Sequence, residues 1–193
     1  MSFKTLETSE TGKPMRDLTK GVMRDQHSSE GLLDMIKELG ETNDKTMIEI
    51  GSFIGESTVI FATHFKHVSA IDPFQSDYDP EDPTSKFNFD EVFEEYTRRV
   101  ESKKEKVTTY KLTSNDALSI LHGEKFDFIY IDGIHQYENV YEDIMNYLPL
   151  VKEGGIIGGH DYGGPWKGVQ QAVDQVFGKP DKVFKDTSWI KQL

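Results

Sequence analysis

Short apolar runs alternate with amphipathic stretches along most of the chain. Runs rich in β-branched and aromatic residues predict strands at 46–50 (TMIEI), 67–71 (HVSAI), 106–110 (KVTTY), 126–131 (FDFIYI) and 154–159 (GGIIGG). Between them, a period near 3.6 predicts helices over 57–65, 89–100, 115–121 and 137–148. Strands that alternate with helices favour a parallel sheet covered on both faces. We therefore predict a single-domain α/β fold with a Rossmann-like, doubly wound sheet that is mostly parallel.

The two ends of the chain and one internal segment depart from this alternation. Residues 1–28 are polar and lack clear periodicity, so we interpret them as an N-terminal arm or lid before a domain of residues 29–193. Ser29 is placed to cap a first helix, which Gly40 ends. The C-terminal segment predicts one more helix and two closing strands, including an antiparallel one. Residues 73–88 contain Asp-Pro steps, which oppose regular structure.

Composition limits the environment and the partners of the chain. Of its 193 residues, 36% are apolar and 29% are charged, as is typical of a folded domain. No run approaches the ~20 apolar residues that a membrane helix needs, and the first residues lack the apolar centre of a signal peptide. We therefore expect a cytoplasmic protein without membrane contact. The net charge of −12 opposes binding to nucleic acid. Because cysteine is absent, the chemistry must use oxygen and imidazole groups.

Acids, glycines and histidines stand at the ends of four predicted strands. The first strand ends in IEIGSFIGEST, the second in AIDPF, the fourth in YIDGIHQY and the fifth in GGHDY. In an open parallel sheet, ligands bind beyond the carboxyl ends of the strands, where the connections diverge. These four segments therefore predict a ligand site along one edge of the sheet.

The turn after the first strand has the spacing Gly51-x-x-x-Gly55. It matches neither the dinucleotide fingerprint nor a phosphate loop. Its glycines let a ligand approach the backbone, and the following helix N-terminus suits a carboxylate. Glu49 is placed to accept hydrogen bonds from a ligand ammonium group or from the amides of the loop. Asp72, at the end of the second strand, is placed to bind ribose hydroxyls, so a nucleoside joined to an amino acid fits this edge.

The segments IEIGSFIGES, AID and YIDGIHQYENVYEDIMNYLPLVKEGGIIGGHDY resemble the class I S-adenosylmethionine-dependent methyltransferases. Within that class, the chain is similar to a small-domain group related to catechol-type and macrolide sugar O-methyltransferases. The resemblance implies S-adenosylmethionine as the methyl donor and a small molecule as the acceptor. It implies that the donor contacts Glu49, Gly51, Ser52, Phe53, Gly55, Ser57, Asp72, Ser114, Asn115, Asp116 and Asp132.

The chain departs from the catechol-type pattern in two places. His135 stands where those enzymes have a lysine base, and an imidazole with a pKa near ~6.5 can accept a proton at neutral pH. We expect His135 to be the base and Asp132 to position the acceptor or a metal. His160 and Asp161 stand where metal-dependent relatives have an acidic or amide pair. Asp132, His160 and Asp161 are thus candidate ligands of Mg²⁺, Mn²⁺ or Fe²⁺, although a histidine disfavours Mg²⁺ and a metal-free site stays open.

These inferences predict an O-methyltransferase. Two alternatives stay open, which are a metal-dependent hydroxylase-like enzyme on the same scaffold and a non-catalytic protein that binds S-adenosylmethionine. The sequence does not identify the acceptor, because residues 1–28 and 73–88, which we expect to shape its pocket, contain no interpretable motif. The resemblance is also compatible with a homodimer that pairs through the N-terminal arm.

Overall fold

The structure is a computed structural model that describes residues 26–193. Its helices are α1 (Gln26–Glu38), α2 (Glu56–His64), α3 (Phe89–Val100), α4 (Ser114–Leu121), α5 (Tyr137–Tyr147) and α6 (Lys167–Phe177). Its strands are β1 (Thr46–Ile50), β2 (His67–Ile71), β3 (Val107–Tyr110), β4 (Phe126–Ile131), β5 (Val151–Gly159), β6 (Lys182–Val183) and β7 (Trp189–Gln192). The predicted order of strands and helices is confirmed.

The strands form one sheet in the order β3-β2-β1-β4-β5-β7-β6. Strands β1 to β5 pair in parallel, whereas β7 runs antiparallel to β5 and β6. The predicted doubly wound sheet with an antiparallel C-terminal strand is therefore confirmed. Because β1 lies between β2 and β4, the connections that leave β1 and β4 diverge and open a crevice beyond the carboxyl ends of the strands.

Both faces of the sheet are buried, as the apolar strand sequences require. In β4, Phe128 and Tyr130 belong to the core beneath α1, α2 and α3, whereas Ile129 and Ile131 belong to the core beneath α4, α5 and α6. Successive side chains of a strand point to opposite faces, so a strand covered on both sides must be apolar at every position. This packing leaves the carboxyl edge of the sheet as the place for polar ligand groups.

Two details differ from the sequence prediction. Helix α1 begins at Gln26, so Ser29 lies inside the helix and the prediction that it forms the cap is wrong. The polar residues before the apolar stripe contain no helix breaker, so the helix extends through them. Strand β5 begins at Val151, earlier than predicted, because a register shift against β4 lets the segment around Gly154 bulge while the strand continues.

Most of the predicted N-terminal arm lies outside the part of the chain that the structure describes. Residues 1–25 are not described, and residues 26–28 belong to α1. Gly40 has a φ of 72°, the left-handed conformation expected of a glycine that ends a helix. Within residues 26–193, none of the helices combines the length and the apolar character needed to cross a bilayer.

Candidate functional site

A cavity of about 380 Å³ lies at the carboxyl ends of β1, β2 and β4, which is within the size range of small-molecule sites. Most of the residues predicted from the sequence line it. These are Gly51, Ser52, Phe53, Ser57, Asp72, Ser114, Asn115, Asp132, His135 and His160. Segments that are far apart in the sequence thus meet at one edge of the sheet, as the strand-end argument predicted.

Gly51 makes the close contact on which the first loop depends. Its φ is 85°, and a Cβ at this position would lie 2.0 Å from the backbone oxygen of Asp132. The amide of Gly51 also donates to the carbonyl of Ile71 at 2.9 Å. The amide of Asp132 donates to the carbonyl of Ile50 at 2.8 Å. The loop is therefore pressed against the end of β4, and only a glycine fits between them.

Asp72 holds this loop from the other side. One of its carboxylate oxygens accepts hydrogen bonds from the amides of Ser52 (3.1 Å) and Phe53 (2.8 Å), and the other accepts from the amide of Phe74 (2.7 Å). Burial raises the pKa of Asp72, and the three backbone donors offset this only in part. Asp72, which the sequence predicted to bind ribose, thus lines the cavity and also fixes the backbone conformation of the loop beside it.

Glu49 and Gly55 stand behind the loop and do not line the cavity. Glu49 is completely buried, and its carboxylate accepts a hydrogen bond from the Thr58 hydroxyl at 2.5 Å. Gly55 precedes α2 with a φ of 80°, and a Cβ there would lie 3.0 Å from the Tyr96 ring. Both residues support the loop from beneath, so the structure gives no direct path from Glu49 to a ligand ammonium group.

Four side chains beyond β4 and β5 form a compact polar cluster. The imidazole Nε2 of His135 lies 3.2 Å from Oδ2 of Asp161, and Nδ1 of His160 lies 3.2 Å from the same oxygen. Nδ1 of His160 is also 3.7 Å from Oδ1 of Asp132. Asp161 adopts a φ of 66°, which is uncommon for a residue other than glycine and turns its carboxylate towards both imidazoles.

The charges in this cluster shift two pKa values in opposite directions. Burial disfavours the Asp161 carboxylate, but hydrogen bonds and the charges of His135 and His160 outweigh it and hold the pKa of Asp161 far below its ordinary value. Burial also disfavours the charged His135 imidazole, yet the hydrogen bond and charge of Asp161 raise the pKa of His135. Asp161 thus stays ionised and stabilises the protonated form of its partner.

The His135 ring is fixed in orientation as well as in charge. It stacks on the Trp166 indole with 4.4 Å between ring centroids and 12° between planes. When its Nε2 carries the proton donated to Asp161, its Nδ1 is an acceptor, and this buried nitrogen has no hydrogen-bond partner among residues 26–193. An imidazole oriented by a carboxylate, with its second nitrogen unprotonated, has the arrangement of a general base once an acceptor oxygen reaches that nitrogen.

Asp132, His135 and Asp161 also form a candidate metal set. One ligand atom from each can be chosen so that all of them lie within 4.8 Å of one another. This set contains His135, whereas the sequence predicted His160 in its place. His160 lies beside the group through its contacts with Asp161 and Asp132. The two histidines come close only in the fold, so the sequence could not choose between them.

The far end of the cavity differs from the sequence prediction. Asp116 lies in the first turn of α4, where its carboxylate accepts a hydrogen bond from the hydroxyl of the N-cap residue Thr113 at 2.8 Å, and it does not line the cavity. Asp143 of α5 does line the cavity, although only 7% of its surface is exposed. Burial raises the pKa of Asp143 to about 6, although a hydrogen bond with Ser114 opposes this rise. Asp143 falls on the stripe of α5 that buries Ile144, and an acid on an apolar stripe was the signal available in the sequence.

The irregular segment 73–88 supplies one wall of the cavity. The Tyr78 hydroxyl donates to Asp82 at 2.9 Å, the Thr84 hydroxyl donates to the same carboxylate at 2.8 Å, and all three residues line the cavity. The Gln136 amide donates to Oδ1 of Asp79 at 3.2 Å. Because Gln136 follows His135 directly, this bond ties the segment to the polar cluster.

Comparison with known proteins gives a family and a set of similar folds. Residues 48–162, more than half of the chain, match a family described as a methyltransferase domain. A comparison with curated proteins gave no match. The O-methyltransferase NovP superposes with a TM-score of 0.64 at 17% identity, over 83% of this chain and 78% of that one.

Two further solved structures are similar in fold. The calicheamicin methyltransferase CalS11, also described as a TDP-rhamnose 3′-O-methyltransferase, gives a TM-score of 0.62 at 16% identity, over 87% of this chain and 80% of that one. A phosphoethanolamine N-methyltransferase from Haemonchus contortus, in complex with phosphoethanolamine and S-adenosylhomocysteine, gives 0.50 at 14% identity, over 70% of this chain and 26% of that one. At these identities the likeness establishes the fold.

Proposed function

The chain belongs to the methyltransferase-domain family, and we propose that it moves a methyl group from S-adenosylmethionine to a hydroxyl group of a small molecule. The observation that supports this reaction most directly is His135, a half-buried imidazole held by Asp161 and Trp166 at the cavity beside the Gly51 loop. Transfer to a hydroxyl requires that a proton be removed, and His135 is suited to remove it.

In this proposal, the donor lies along the carboxyl edge of the sheet. Its methionine end meets the Gly51 loop and the N-terminus of α2, where backbone amides and the Ser57 hydroxyl suit a carboxylate. Asp72 faces the ribose. Ser114 and Asp143 meet the adenine at the far end of the cavity. The segment 73–88 covers this edge and excludes water from the reacting groups.

The catalytic task left to the chain is modest. The sulfonium group of S-adenosylmethionine is already an activated methyl donor, so the chain must align the acceptor oxygen, exclude water and accept a proton. His135 takes the hydroxyl proton while the acceptor oxygen bonds to the methyl carbon. The carbon–sulfur bond breaks, its electron pair stays on sulfur, and S-adenosylhomocysteine is released. Asp161 stabilises the imidazolium that forms.

The proposal is tested by incubating the chain with S-adenosylmethionine and a panel of phenols, sugars and hydroxy acids, with S-adenosylhomocysteine measured by mass spectrometry. Formation of S-adenosylhomocysteine that depends on an added hydroxyl compound supports the proposed reaction. Tight binding of S-adenosylmethionine without turnover on any compound supports a non-catalytic binder. Metal analysis of the purified chain that finds iron, together with oxygen-dependent product, supports the hydroxylase-like alternative.

A divalent cation fits the polar cluster as an alternative to His135 acting as the base, because an imidazole that ligates a metal through one nitrogen carries its proton on the other. Asp132, His135 and Asp161 would hold it through two oxygens and one nitrogen, which suits Mn²⁺ or Fe²⁺ better than Mg²⁺. When bound, such an ion would supply Lewis-acid stabilisation of the acceptor oxygen.

We expect Mn²⁺ to raise the melting temperature if this cation site forms, because a ligand that binds only the folded state stabilises it by mass action. Asp161→Asn should abolish the rise. His135→Gln should abolish it too, whereas His160→Gln should preserve it, since His160 is outside the set of three. Differential scanning fluorimetry of the four proteins measures this. If Asp161→Asn and His160→Gln remove the rise and His135→Gln preserves it, the set predicted from the sequence is the correct one, and a rise in no protein leaves the cluster metal-free.

We expect Asp72→Ala to weaken the binding of S-adenosylmethionine by the ~1.5–3 kcal/mol typical of a charged hydrogen bond. The variant loses both the proposed ribose contact and the acceptor of three loop amides. Isothermal titration calorimetry measures the affinity, and Asp44→Ala, which removes an exposed carboxylate, is the matched control. An unchanged affinity in Asp72→Ala would rule out the assignment.

A further inference from the structure

Helix α6 begins in direct contact with the backbone segment that carries His135. A Cβ built on Gly168, in the first turn of this helix, would lie 2.5 Å from the backbone oxygen of His135 and 2.6 Å from the backbone nitrogen of Tyr137. Both neighbours are backbone atoms, which cannot rotate aside as the end of a side chain can. The first turn of α6 therefore reaches residues 135–137 only because position 168 is a glycine.

The same segment is held from its other sides. Gln136 is the N-cap residue of α5, and its backbone carbonyl accepts from the Val140 amide at 3.1 Å. Its side-chain amide donates to Oδ1 of Asp79 at 3.2 Å. Residues 135–137 thus cannot move away from α6 without disturbing the start of α5 and the contact with segment 73–88. A change at position 168 must therefore shift either α6 or His135.

Trp166 brings the first turn of α6 into contact with the His135 ring as well. It is the N-cap residue of α6, and its carbonyl accepts from the Val169 amide at 3.2 Å. Its indole stacks on the imidazole with 4.4 Å between centroids and 12° between planes. Val169 is only 4% exposed and anchors this turn in the core beneath α5 and α6. One anchored turn thus contacts both the backbone and the ring of His135.

We infer that the first turn of α6 positions the proposed base, with Gly168 setting the His135 backbone and Trp166 setting the plane of its ring. The inference rests on the proposed function, since the placement of His135 affects the rate only if the imidazole takes the acceptor proton. Gly168 and Trp166 do not line the cavity, so they act through His135 as positioning residues. A displacement of about 1 Å in a reacting group can cost about 10²-fold in rate.

NMR of the full chain measures the position of the imidazole without requiring turnover. In the parent, the stacked rings should give nuclear Overhauser effects between His135 and Trp166 ring protons. The Nε2 proton, shared with Asp161, should give a separate downfield signal. We expect Gly168→Ala to weaken both, because the added methyl group pushes α6 away from residues 135–137. A folded Gly168→Ala in which both signals match the parent overturns the inference.

Two glycine variants are controls for this comparison. Gly164 lies on the loop that leads to α6, but a Cβ there would be 3.5 Å from its nearest neighbour, the backbone oxygen of Asp161, which is an ordinary contact. A Cβ on Gly31 of α1 would instead meet the buried Asp186 carboxyl group, and α1 packs on the opposite face of the sheet. Gly31→Ala therefore reports a loss of stability alone. Both controls should keep the two signals, and their loss in either control overturns the inference.

Two variants of Trp166 keep the test decisive if Gly168→Ala does not fold. Trp166→Leu adds no atom against the backbone but removes the flat ring, so we expect the Nε2 proton to be lost to exchange with solvent. Trp166→Phe keeps a ring that can stack and should retain the signal. A retained signal in Trp166→Leu overturns the inference.

Turnover supplies a second measurement once an acceptor is known. We expect Gly168→Ala and Trp166→Leu to lower kcat by about 10–10²-fold while the affinity for S-adenosylmethionine stays close to that of the parent. Trp166→Phe should restore most of kcat. Parental kcat in Trp166→Leu overturns the inference. If the parent itself forms no S-adenosylhomocysteine, the proposed function fails instead, and the NMR comparison still decides whether α6 positions His135.

Discussion

His135→Ala should lower turnover by the ~10²–10⁴-fold expected of a lost general base, while the affinity for S-adenosylmethionine stays close to that of the parent. The imidazole contacts Asp161 and Trp166, whereas the Gly51 loop that we propose binds the methionine end is held by Asp72 and by the end of β4. The rate is measured as S-adenosylhomocysteine formation on the acceptor identified in the panel, and the affinity by calorimetry.

Two further variants make this result specific. His122→Ala removes an exposed imidazole and should leave turnover unchanged. Asp161→Asn keeps the shape of the side chain that orients His135 but removes its charge, so it should lower turnover less than His135→Ala does. If His135→Ala retains near-parental turnover, the base is a different group or no protein base is needed.

The pH dependence follows from the shifted pKa of His135. Only the neutral imidazole accepts a proton, so the rate should fall as the pH drops through the pKa of His135, which Asp161 raises above its ordinary value. In Asp161→Asn this fall should occur at lower pH, because the charge that stabilised the imidazolium is absent. A pH–rate profile of both proteins measures the difference, and superimposable profiles would contradict the role of Asp161.

The same pair should make stability depend on pH. The raised pKa of His135 contributes stability below its unfolded value of ~6.5, and this contribution is lost as the pH rises through the folded value. The lowered pKa of Asp161 contributes stability above its unfolded value of ~3.9, and this is lost as the pH falls through the folded value. The pair therefore stabilises most between about pH 4 and 6.5.

Gly51→Ala should destabilise the fold and remove donor binding. The new Cβ would lie 2.0 Å from the Asp132 backbone oxygen, and backbone cannot move aside as a flexible side chain can. Overpacking costs about 1–3 kcal/mol, and a left-handed conformation adds about 1–2 kcal/mol for a residue with a Cβ. Urea unfolding measures the change in the free energy of unfolding, and calorimetry measures the loss of S-adenosylmethionine binding.

Gly123→Ala is the matched control for this prediction. Gly123 has a φ of 89°, close to that of Gly51, but a Cβ there would meet no atom within 4 Å. Gly123→Ala should therefore show only the conformational cost and should keep donor binding. Equal losses of stability in the two variants would show that contact with Asp132 does not explain the role of Gly51.

The sequence alone was enough for the fold and for the family. The strands predicted from TMIEI and FDFIYI were confirmed as β1 and β4 because a strand buried on both faces must be apolar throughout. The family followed from the glycine turn and the segment around Asp132. Strand ends such as Gly51 and Asp72 could be placed at one site because parallel strands present their carboxyl ends at the same edge.

Tertiary structure decided which side chains reach the cavity and which of them meet. Glu49 and Asp116 fit the sequence pattern of the site, but the first is buried behind the loop and the second bonds Thr113, the N-cap residue of α4. Asp143 enters the cavity from α5, a helix in which the sequence predicted no site residue. Side-chain direction beyond a strand end depends on loop conformation and on packing from distant segments, and neither has a local signature in the sequence.

The pairing of His135 with Asp161 shows the same limit most clearly. The sequence marked His135 as a base and Asp161 as a metal ligand, two separate roles on two separate loops. In the fold, the left-handed turn at Asp161 and the ring of Trp166 bring the imidazole and carboxylate within 3.2 Å. The residue types came from the sequence, whereas their partnership came from the convergence of loops after β4 and β5, because short-range periodicity contains no information about contacts between distant loops.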